Sequence, residues 1–222
     1  PGGTTNVLAG ALGLPAEPVA AARALTTAAI RELDVGRAGD ESIFLMQVSG
    51  GLDARVMAAV DPCWKRRFGK LAVAWTGLRE WASYRFPRFA LEIDGEPTTA
   101  TGFVVANLAE YAGAFEIVPG AHPDDRQLEL LLFRGTTRAG ALAFALDLAR
   151  GRHTTRNDVE IRRIERVRLL APERLELQGD GDPFTETPPC ELRLSSRRLR
   201  VLAPDARAGP PRRVGAGAGP PR

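Results

Sequence analysis

The sequence has few of the residues that build disulfide frameworks or metal clusters: two cysteines and two histidines in 222 residues. Cys63 and Cys190 lie far apart without a CxxC pair, so we expect reduced thiols and no zinc site. His122 and His153 have no partner at metal-ligand spacing, and both are expected at the surface. No apolar run approaches the ~20 residues that span a bilayer, and no signal peptide is visible. The composition predicts a soluble globular protein.

An excess of positive charge is also missing from most of the chain. Of 30 basic and 27 acidic residues, the segment 205–222 (DARAGPPRRVGAGAGPPR) holds four Arg and one Asp, which leaves 26 of each elsewhere. This segment has almost nothing to bury, and disorder is expected there. Because the body is neutral, we expect no nucleic-acid partner.

Strand patterns outnumber helix patterns after residue 30. Helices are predicted at 6–14, 18–27, 53–60, 69–81 and 139–150, and strands at 30–37, 42–48, 89–93, 101–108, 128–133 and in five short segments between 159 and 202. The fold class is therefore α+β, mainly β: a β-sandwich decorated by helices. The predicted boundaries are a helical part at 1–30, a β-rich domain at 31–204 and a tail at 205–222.

One predicted helix, 69–81, has a clear apolar face. Leu71, Trp75, Leu78 and Trp81 recur at helical spacing. We expect this face, like Trp64, to pack in the core.

Three loops have residues suited to chemistry. Gly2-Gly3-Thr4 precedes a helix start and offers backbone N–H groups to a phosphate. The segment Asp180 to Pro183 is an acidic turn, and the loop at 119–127 contains Asp124 and Asp125, whose oxygens suit a hard cation. Each loop taken alone is better explained as an ordinary turn or, at Asp124 and Asp125, as solvated aspartates.

The succession of these segments resembles the soluble diacylglycerol kinase family, bacterial lipid kinases related to sphingosine and ceramide kinases. The resemblance covers Pro1 to about Pro204. Its motifs, in the family's pattern, are P-x-G-T-x-N at 1–6, D-x-G at 34–36, G-x-G-x-D-A-x-V at 49–56 with Ser49 for the first Gly, K-R-x-x-G-K-L at 65–71, the strand ending in Asn107, P-x-A-x-x-D-D at 119–125, and D-G-E/D at 180–182.

This resemblance implies a two-domain enzyme. An N-terminal, NAD-kinase-like α/β domain with a G-G-D-G-T loop binds ATP, and a C-terminal β-sandwich completes the cleft. The G-G-D-G-T loop does not occur in the sequence. We therefore expect residues 1–30 to be a remnant of the nucleotide-binding domain and this chain alone to lack kinase activity.

The resemblance also implies roles for single residues. The loop residues Gly3, Thr4 and Asn6 match the family's nucleotide-binding positions, with Thr4 as the nucleotide-contacting threonine. Asp182 matches the acidic residue that acts as general base on the lipid hydroxyl, and it is one methylene shorter than the family's usual Glu. Phosphoryl transfer needs such a carboxylate to accept the hydroxyl proton.

A magnesium site is implied in the loop at 119–127. Asp125 matches its carboxylate ligand, with the backbone carbonyls of His122 and Gln127 beside it. Arg126 stands where the family usually has Gly, and Val7 where many members have Asp.

The function that the resemblance implies is an ATP- and Mg²⁺-dependent lipid kinase, which converts diacylglycerol to phosphatidic acid at the cytoplasmic membrane face. Its partners would be a lipid alcohol and, transiently, the membrane surface. The basic cluster Lys65, Arg66, Arg67 and Lys70 is explained equally well by anionic headgroups, by ATP phosphates or by a solvated helix start. Homodimer formation stays open. The alternative is a non-catalytic lipid- or protein-binding β-sandwich module, which the departures at 7 and 126 favour.

Overall fold

The computed structural model describes residues 1–3, 5–112, 115–171 and 175–204. Six α-helices occur in these residues. They are α1 (Val7–Ala11), α2 (Pro18–Leu25), α3 (Leu52–Ala59), α4 (Pro62–Phe68), α5 (Lys70–Ser83) and α6 (Arg138–Ala149), with a 3-10 turn at His153–Thr155.

Sixteen short strands make up most of the rest of the described chain. They are β1 (Ala29–Leu33), β2 (Gly36–Ala38), β3 (Ser42–Phe44), β4 (Gln47–Gly50), β5 (Phe89–Ile93), β6 (Glu96–Ala100), β7 (Gly102–Ala106), β8 (Glu110–Tyr111), β9 (Phe115–Glu116), β10 (Leu128–Phe133), β11 (Val159–Ile164), β12 (Arg166–Ala171), β13 (Leu177–Gly179), β14 (Asp182–Phe184), β15 (Cys190–Leu194) and β16 (Leu199–Ala203).

Two antiparallel six-stranded sheets form the body of the protein. The first has the order β11-β10-β7-β4-β13-β14 and the second β3-β2-β15-β12-β5-β6. The large side chains of their facing surfaces form the main core, with Phe44, Phe89 and Leu91 from the second sheet and Phe103 and Leu130 from the first. The expected mainly-β sandwich is confirmed.

The first sheet is covered on its other face as well. All six residues of β10 are buried. Leu128, Leu130 and Leu132 point into the sandwich core, whereas Leu131 and Phe133 belong to a second cluster with Phe144 of α6. This double burial explains why the strand is an almost continuous apolar run.

The strand expected at 30–37 is in fact two strands in different sheets. β1 pairs only with β16 within the described residues, and β2 pairs with β3 and β15. Between them lies Asp34, which is fully buried and accepts hydrogen bonds from Arg126 and Arg198. The buried carboxylate needs these partners, so the chain leaves one sheet at Asp34 and enters the other. The boundary near residue 30 stays a prediction.

Both Asp-Gly turns form two-residue hairpins. Asp94 and Gly95 connect β5 to β6, and Asp180 and Gly181 connect β13 to β14, all four with positive φ. Asp tolerates this conformation and Gly adopts it freely, which is why the Asp-Gly pair predicts hairpins.

The region 62–83 differs most from the sequence-based expectation. Helix α4 was not predicted; Asp61 caps it by accepting a hydrogen bond from the Trp64 N–H, with Pro62 at the first position. The apolar face predicted to pack in the core points outward instead, since Trp64 and Trp75 are 55% and 62% exposed. The expectation for these tryptophans was wrong, and only Trp81 packs, against the second cluster.

Two further expectations concern a histidine and the tail. His153 is fully buried rather than at the surface, and its Nε2 lies 2.9 Å from the carbonyl oxygen of Ile117. The tail, for which disorder is expected, lies outside the described residues. None of the helices in the described ranges is both long and apolar enough to span a membrane.

Candidate functional site

The β13–β14 hairpin presents a carboxylate to solvent. Asp182, the predicted general base, is the first residue of β14, and its side chain is 80% exposed. Its Oδ1 lies 3.0 Å from the Nζ of Lys65 on α4, and the same ammonium donates to the carbonyl oxygen of Gly181 at 2.8 Å. The carboxylate is thus accessible and held in place by one charged partner.

Asp180 fixes this hairpin to the first sheet. Its carboxylate accepts three backbone hydrogen bonds, from the N–H groups of Leu45, Met46 and Gln47, at 2.8 to 2.9 Å. Its own N–H donates to the carbonyl of Gln47 at 3.0 Å. Three N–H donors aimed at one carboxylate form a strong, directional anchor. Asp180, two residues earlier in the chain, therefore sets the position of Asp182.

A polar network lies beside the hairpin. Asp53, in the first turn of α3, accepts hydrogen bonds from Ser49 Oγ and the Tyr111 hydroxyl, and from Gln178 Nε2 at 3.0 Å. Gln178 also accepts from the Gly181 N–H at 2.9 Å, so the network reaches the residue before Asp182. Burial, followed by the Asp53 charge, raises the pKa of Tyr111 well above its usual value, and the phenol stays a donor.

The sequence-based reasoning did not single out Asp53 or Asp180 as functional positions. Both lie in motifs that carried the resemblance, Ser49 to Val56 and Asp180 to Asp182. The available signal was the place of each carboxylate inside a motif, with Asp180 two residues before the assigned Asp182. The sequence does not show what Asp53 and Asp180 contact, because most of their partners are distant in the chain.

The predicted nucleotide loop is described in part. Thr4 lies outside the described residues. Asn6 has φ 49° and precedes α1, and its Oδ1 accepts from the Gly3 N–H at 2.7 Å. Helix α1 lies beside β8, which carries Tyr111. Helix α1 thus lies near the strand whose Tyr111 donates to Asp53, and no side-chain hydrogen bond joins Gly3 or Asn6 to Asp182 among the described residues.

The predicted metal loop contains one non-glycine residue with positive φ, Arg126. Arg126 adopts φ 64°, so the left-handed conformation expected of Gly is kept. Its N–H and guanidinium are both directed to the buried Asp34 carboxylate, at 2.6 and 3.3 Å. The charge of Arg126 is therefore paired with Asp34. The Asp125 carboxylate accepts from the Gln127 N–H at 3.0 Å.

The donor set of this loop fits a hard cation. Glu129, on β10, is buried and its Oε2 has no hydrogen-bond partner. Burial and then the charge of Asp125 raise the pKa of Glu129, whose Oε1 lies 3.6 Å from Arg163 Nε. Oxygen ligands suit Mg²⁺. Within the described ranges, however, no group of three or more His, Cys, Asp or Glu side chains is arranged to hold a metal, so the backbone carbonyls of His122 and Gln127 would have to contribute.

A single buried amide links the metal loop to the hairpin. Asn107 donates through Nδ2 to the carbonyl oxygens of Asp34 at 3.0 Å and Leu45 at 2.8 Å. The Asp34 N–H donates to the Pro123 carbonyl of the metal loop, while the Leu45 N–H is held by Asp180. The structure therefore joins two of the three predicted site segments through Asn107.

The chain is similar in sequence to curated lipid kinases over most of its length. The chain is 31% identical over 192 residues to a probable lipid kinase YegS-like from Chromohalobacter salexigens, covering 82% of this chain and 59% of that protein. It is 26% identical over 211 residues to a diacylglycerol kinase from Bacillus subtilis, covering 94% of this chain and 69% of that protein. The chain thus spans roughly three fifths to two thirds of the length of these relatives.

Solved structures share the fold. A diacylglycerol kinase from Bacillus anthracis superposes with a TM-score of 0.63 at 18% identity, covering 93% of this chain and 66% of that one. A second structure from the same organism superposes with a TM-score of 0.70 at 22% identity, covering 88% of this chain and 64% of that one. The family described as YegS C-terminal NAD kinase beta sandwich-like domain matches residues 46–203. The chain belongs to this lipid kinase family.

Proposed function

We propose that this chain provides the β-sandwich side of the active site of an ATP-dependent lipid kinase that phosphorylates the hydroxyl of diacylglycerol to give phosphatidic acid. The names of its relatives support the reaction class. The observation that carries the proposal is the exposed Asp182 carboxylate on a hairpin that Asp180 and Lys65 hold in place.

Asp182 acts as the general base. As the lipid oxygen forms its bond to the γ-phosphorus, the bond from that phosphorus to the β,γ-bridging oxygen breaks and ADP leaves. The hydroxyl proton passes to the Asp182 carboxylate and from there to solvent. A positioned base of this kind contributes about 10²- to 10⁴-fold to the rate.

The neighbouring groups position this base. Lys65 restricts the rotation of the Asp182 side chain, and its ammonium is close enough to offset negative charge that develops nearby. The hydrogen bond from the Gly181 N–H to Gln178 connects the hairpin to Asp53. Since these contacts come from α3, α4 and β13, the base is held by the folded sandwich and not by the hairpin alone.

The remaining predicted residues bind the second substrate and the metal. We assign Gly3, Thr4 and Asn6 to the phosphates of ATP. Asp125, with the carbonyls of His122 and Gln127, would hold Mg²⁺, which neutralises charge in its vicinity when bound. The lipid alcohol and a transient membrane contact are the proposed partners.

The experiment measures transfer of ³²P from ATP to diacylglycerol in mixed micelles by the complete gene product that contains this chain. Asp182→Asn should lower kcat by about 100-fold or more, whereas Asp182→Glu, the family's residue, should keep most of the activity. Glu96→Gln is the matched control, because Glu96 has the same place in the other Asp-Gly hairpin and is 79% exposed. Unchanged kcat in Asp182→Asn would remove Asp182 from the mechanism.

A second candidate function is favoured by Val7 and Arg126, which depart from the family pattern. The guanidinium of Arg126 donates to the Asp34 carboxylate. A non-catalytic lipid- or protein-binding module would bind diacylglycerol micelles without phosphorylating them. That result for the unmodified protein would favour the module over the kinase.

A further inference from the structure

We propose that the outer surface of helices α4 and α5 docks on an anionic membrane. This surface, called the α4–α5 surface below, consists of the apolar Trp64, Phe68, Leu71, Trp75 and Leu78 with the cations Arg66, Arg67, Lys70 and Arg79. The inference names a partner for the proposed lipid kinase and rests on that function only for its biological purpose.

The apolar side chains of this surface are unusually exposed. Leu71 is 74% exposed, Trp75 62% and Leu78 57%, and they follow one another at a helical spacing of four and three residues. Trp64 and Phe68 of α4 continue the series across Gly69 and contact each other edge to face, with ring centroids 5.6 Å apart. A contiguous run of large exposed apolar residues marks an interaction site.

The packing of α5 keeps this face outward. On its inner face, Ala72 and Val73 pack with Met57 of α3. Glu80 is buried and paired with Arg55 of α3 at 3.1 Å, while Trp81 Nε1 donates to a carbonyl at the start of α6 at 3.0 Å. These contacts fix the rotation of the helix. The face that contains Leu71, Trp75 and Leu78 is therefore left exposed.

The charge of the segment selects the kind of partner. Between Asp61 and Glu80 the sequence has five cations and no acidic residue, whereas residues 1–204 as a whole are neutral. Arg66, Arg67, Lys70 and Arg79 are all exposed, and the Arg67 guanidinium lies 5.7 Å from the centroid of the Phe68 ring. Tryptophan beside Lys and Arg on one helix surface is typical of proteins that lie in the headgroup region of anionic bilayers.

The location of this surface matches the chemistry. Lys65 belongs to the same helix as Trp64 and Phe68, and its ammonium contacts the Asp182 carboxylate. Helix α4 thus contributes both to the α4–α5 surface and to the position of the general base. A lipid hydroxyl at the membrane surface would reach Asp182 without the lipid leaving the headgroup region.

The test is vesicle co-sedimentation of the purified 222-residue chain, without nucleotide or diacylglycerol. The vesicles are pure phosphatidylcholine or phosphatidylcholine with about 30 mol% phosphatidylglycerol, at about 0.1 and 0.5 M salt. We expect binding to the anionic vesicles that weakens at high salt. Because the assay needs no catalysis, its failure leaves the kinase proposal standing, and a failed kinase assay leaves this one standing.

Two double variants separate the contributions. Arg66→Gln with Arg67→Gln should lower the partition coefficient about 25-fold, since each cation near an anionic surface contributes about fivefold. Trp75→Ser with Leu78→Ser should lower it by about tenfold or more. All four side chains are exposed, so the fold should persist, and circular dichroism checks this.

Matched pairs elsewhere serve as controls. Arg197→Gln with Arg200→Gln removes two exposed cations next to and within β16, and Leu142→Ser with Leu146→Ser removes two half-exposed leucines of α6. Each pair should change the partition coefficient less than about twofold. A third control, Arg212→Gln with Arg213→Gln, measures the contribution of the basic tail.

Three results would overturn the proposal: no binding of the unmodified chain to anionic vesicles, equal losses in the control pairs, or binding that depends only on the tail arginines. Dimerisation in sedimentation equilibrium that Trp75→Ser with Leu78→Ser abolishes, together with absent vesicle binding, would assign the surface to a second copy of the chain. Quenching of Trp75 fluorescence by brominated lipid in a Trp64→Phe, Trp81→Phe background would support membrane docking.

Discussion

Lys65 Nζ lies 3.0 Å from Asp182 Oδ1, and this pair connects two parts of the protein that are 117 residues apart in sequence. Lys65 lies in helix α4 and Asp182 lies in the β13–β14 hairpin. Their contact places the proposed base next to the surface that we propose to dock on a membrane.

The first prediction concerns this pair. Lys65→Met should lower kcat of the kinase by about tenfold, because the Asp182 carboxylate loses the charged donor that positions it. The free energy of unfolding should change by less than about 1 kcal/mol, since Asp182 is mostly exposed and such pairs add little stability. Initial rates in mixed micelles and urea denaturation measure the two quantities.

Arg162→Met is the control for Lys65→Met. Arg162 lies 3.7 Å from Glu96, which holds the equivalent place in the other hairpin. Its replacement should leave kcat unchanged. Equal loss of activity in both variants, or loss of stability in Lys65→Met alone, would mean that Lys65 acts through the fold and not through the base.

The second prediction concerns Asp180. Asp180→Ala should lower the free energy of unfolding by about 2–3 kcal/mol, because three backbone N–H groups lose a charged acceptor and Ala is strained at the positive φ. Asp180→Asn tolerates that φ and keeps an acceptor oxygen, so its loss should be smaller. The shift in urea midpoint measures both effects.

The matched control for Asp180→Ala is Asp94→Ala. Asp94 also has positive φ in an Asp-Gly turn and accepts the N–H groups of Glu165 and Arg166. Both variants should be destabilised, but only Asp180→Ala should also lose kinase activity under conditions where it remains folded. If Asp94→Ala loses as much activity, the Asp180 anchor has no special relation to Asp182.

The third prediction concerns pH and the two thiols. Burial, followed by the charge of Glu186, raises the pKa of Cys190 to about 11. At pH 8 its reactive thiolate would be about 0.1% of the population. Iodoacetamide should therefore modify the exposed Cys63 and leave Cys190 intact, which peptide mass spectrometry resolves.

The same shift has a consequence for stability. The folded state holds the Cys190 proton more tightly than the unfolded chain, whose thiol has a pKa near 9.0. This contribution is complete below pH 9 and is lost as the pH rises towards 11. Cys190→Ala should therefore reduce the fall in urea midpoint between pH 9 and pH 11. Rapid alkylation of Cys190 in the native protein at pH 8 would contradict the raised pKa.

The sequence alone predicted those features that depend on local pattern. Asp94-Gly95 and Asp180-Gly181 both form the hairpins that are typical of Asp-Gly pairs, because their conformations are set within two residues. The β10 strand was evident because burial on both faces demands an apolar run. The mainly-β class followed from these patterns, and the family followed from the order of its motifs.

Features that depend on distant partners were not predictable. The break of the first strand at Asp34 depends on Arg126 and Arg198, which lie 92 and 164 residues away. The roles of Asp53 and Asp180 depend on donors from other strands in the same way. A one-dimensional pattern contains the residue types of a network but not the contacts that pair them.

The apolar face of α5 shows the division most clearly. By itself the sequence determined that Leu71, Trp75 and Leu78 share one face of a helix, because helical periodicity is a local property. Only the tertiary structure decided that this face points to solvent, since the rotation of α5 is set by Glu80 with Arg55 on a different helix. Periodicity identifies a face, and the partners of the opposite face decide where it points.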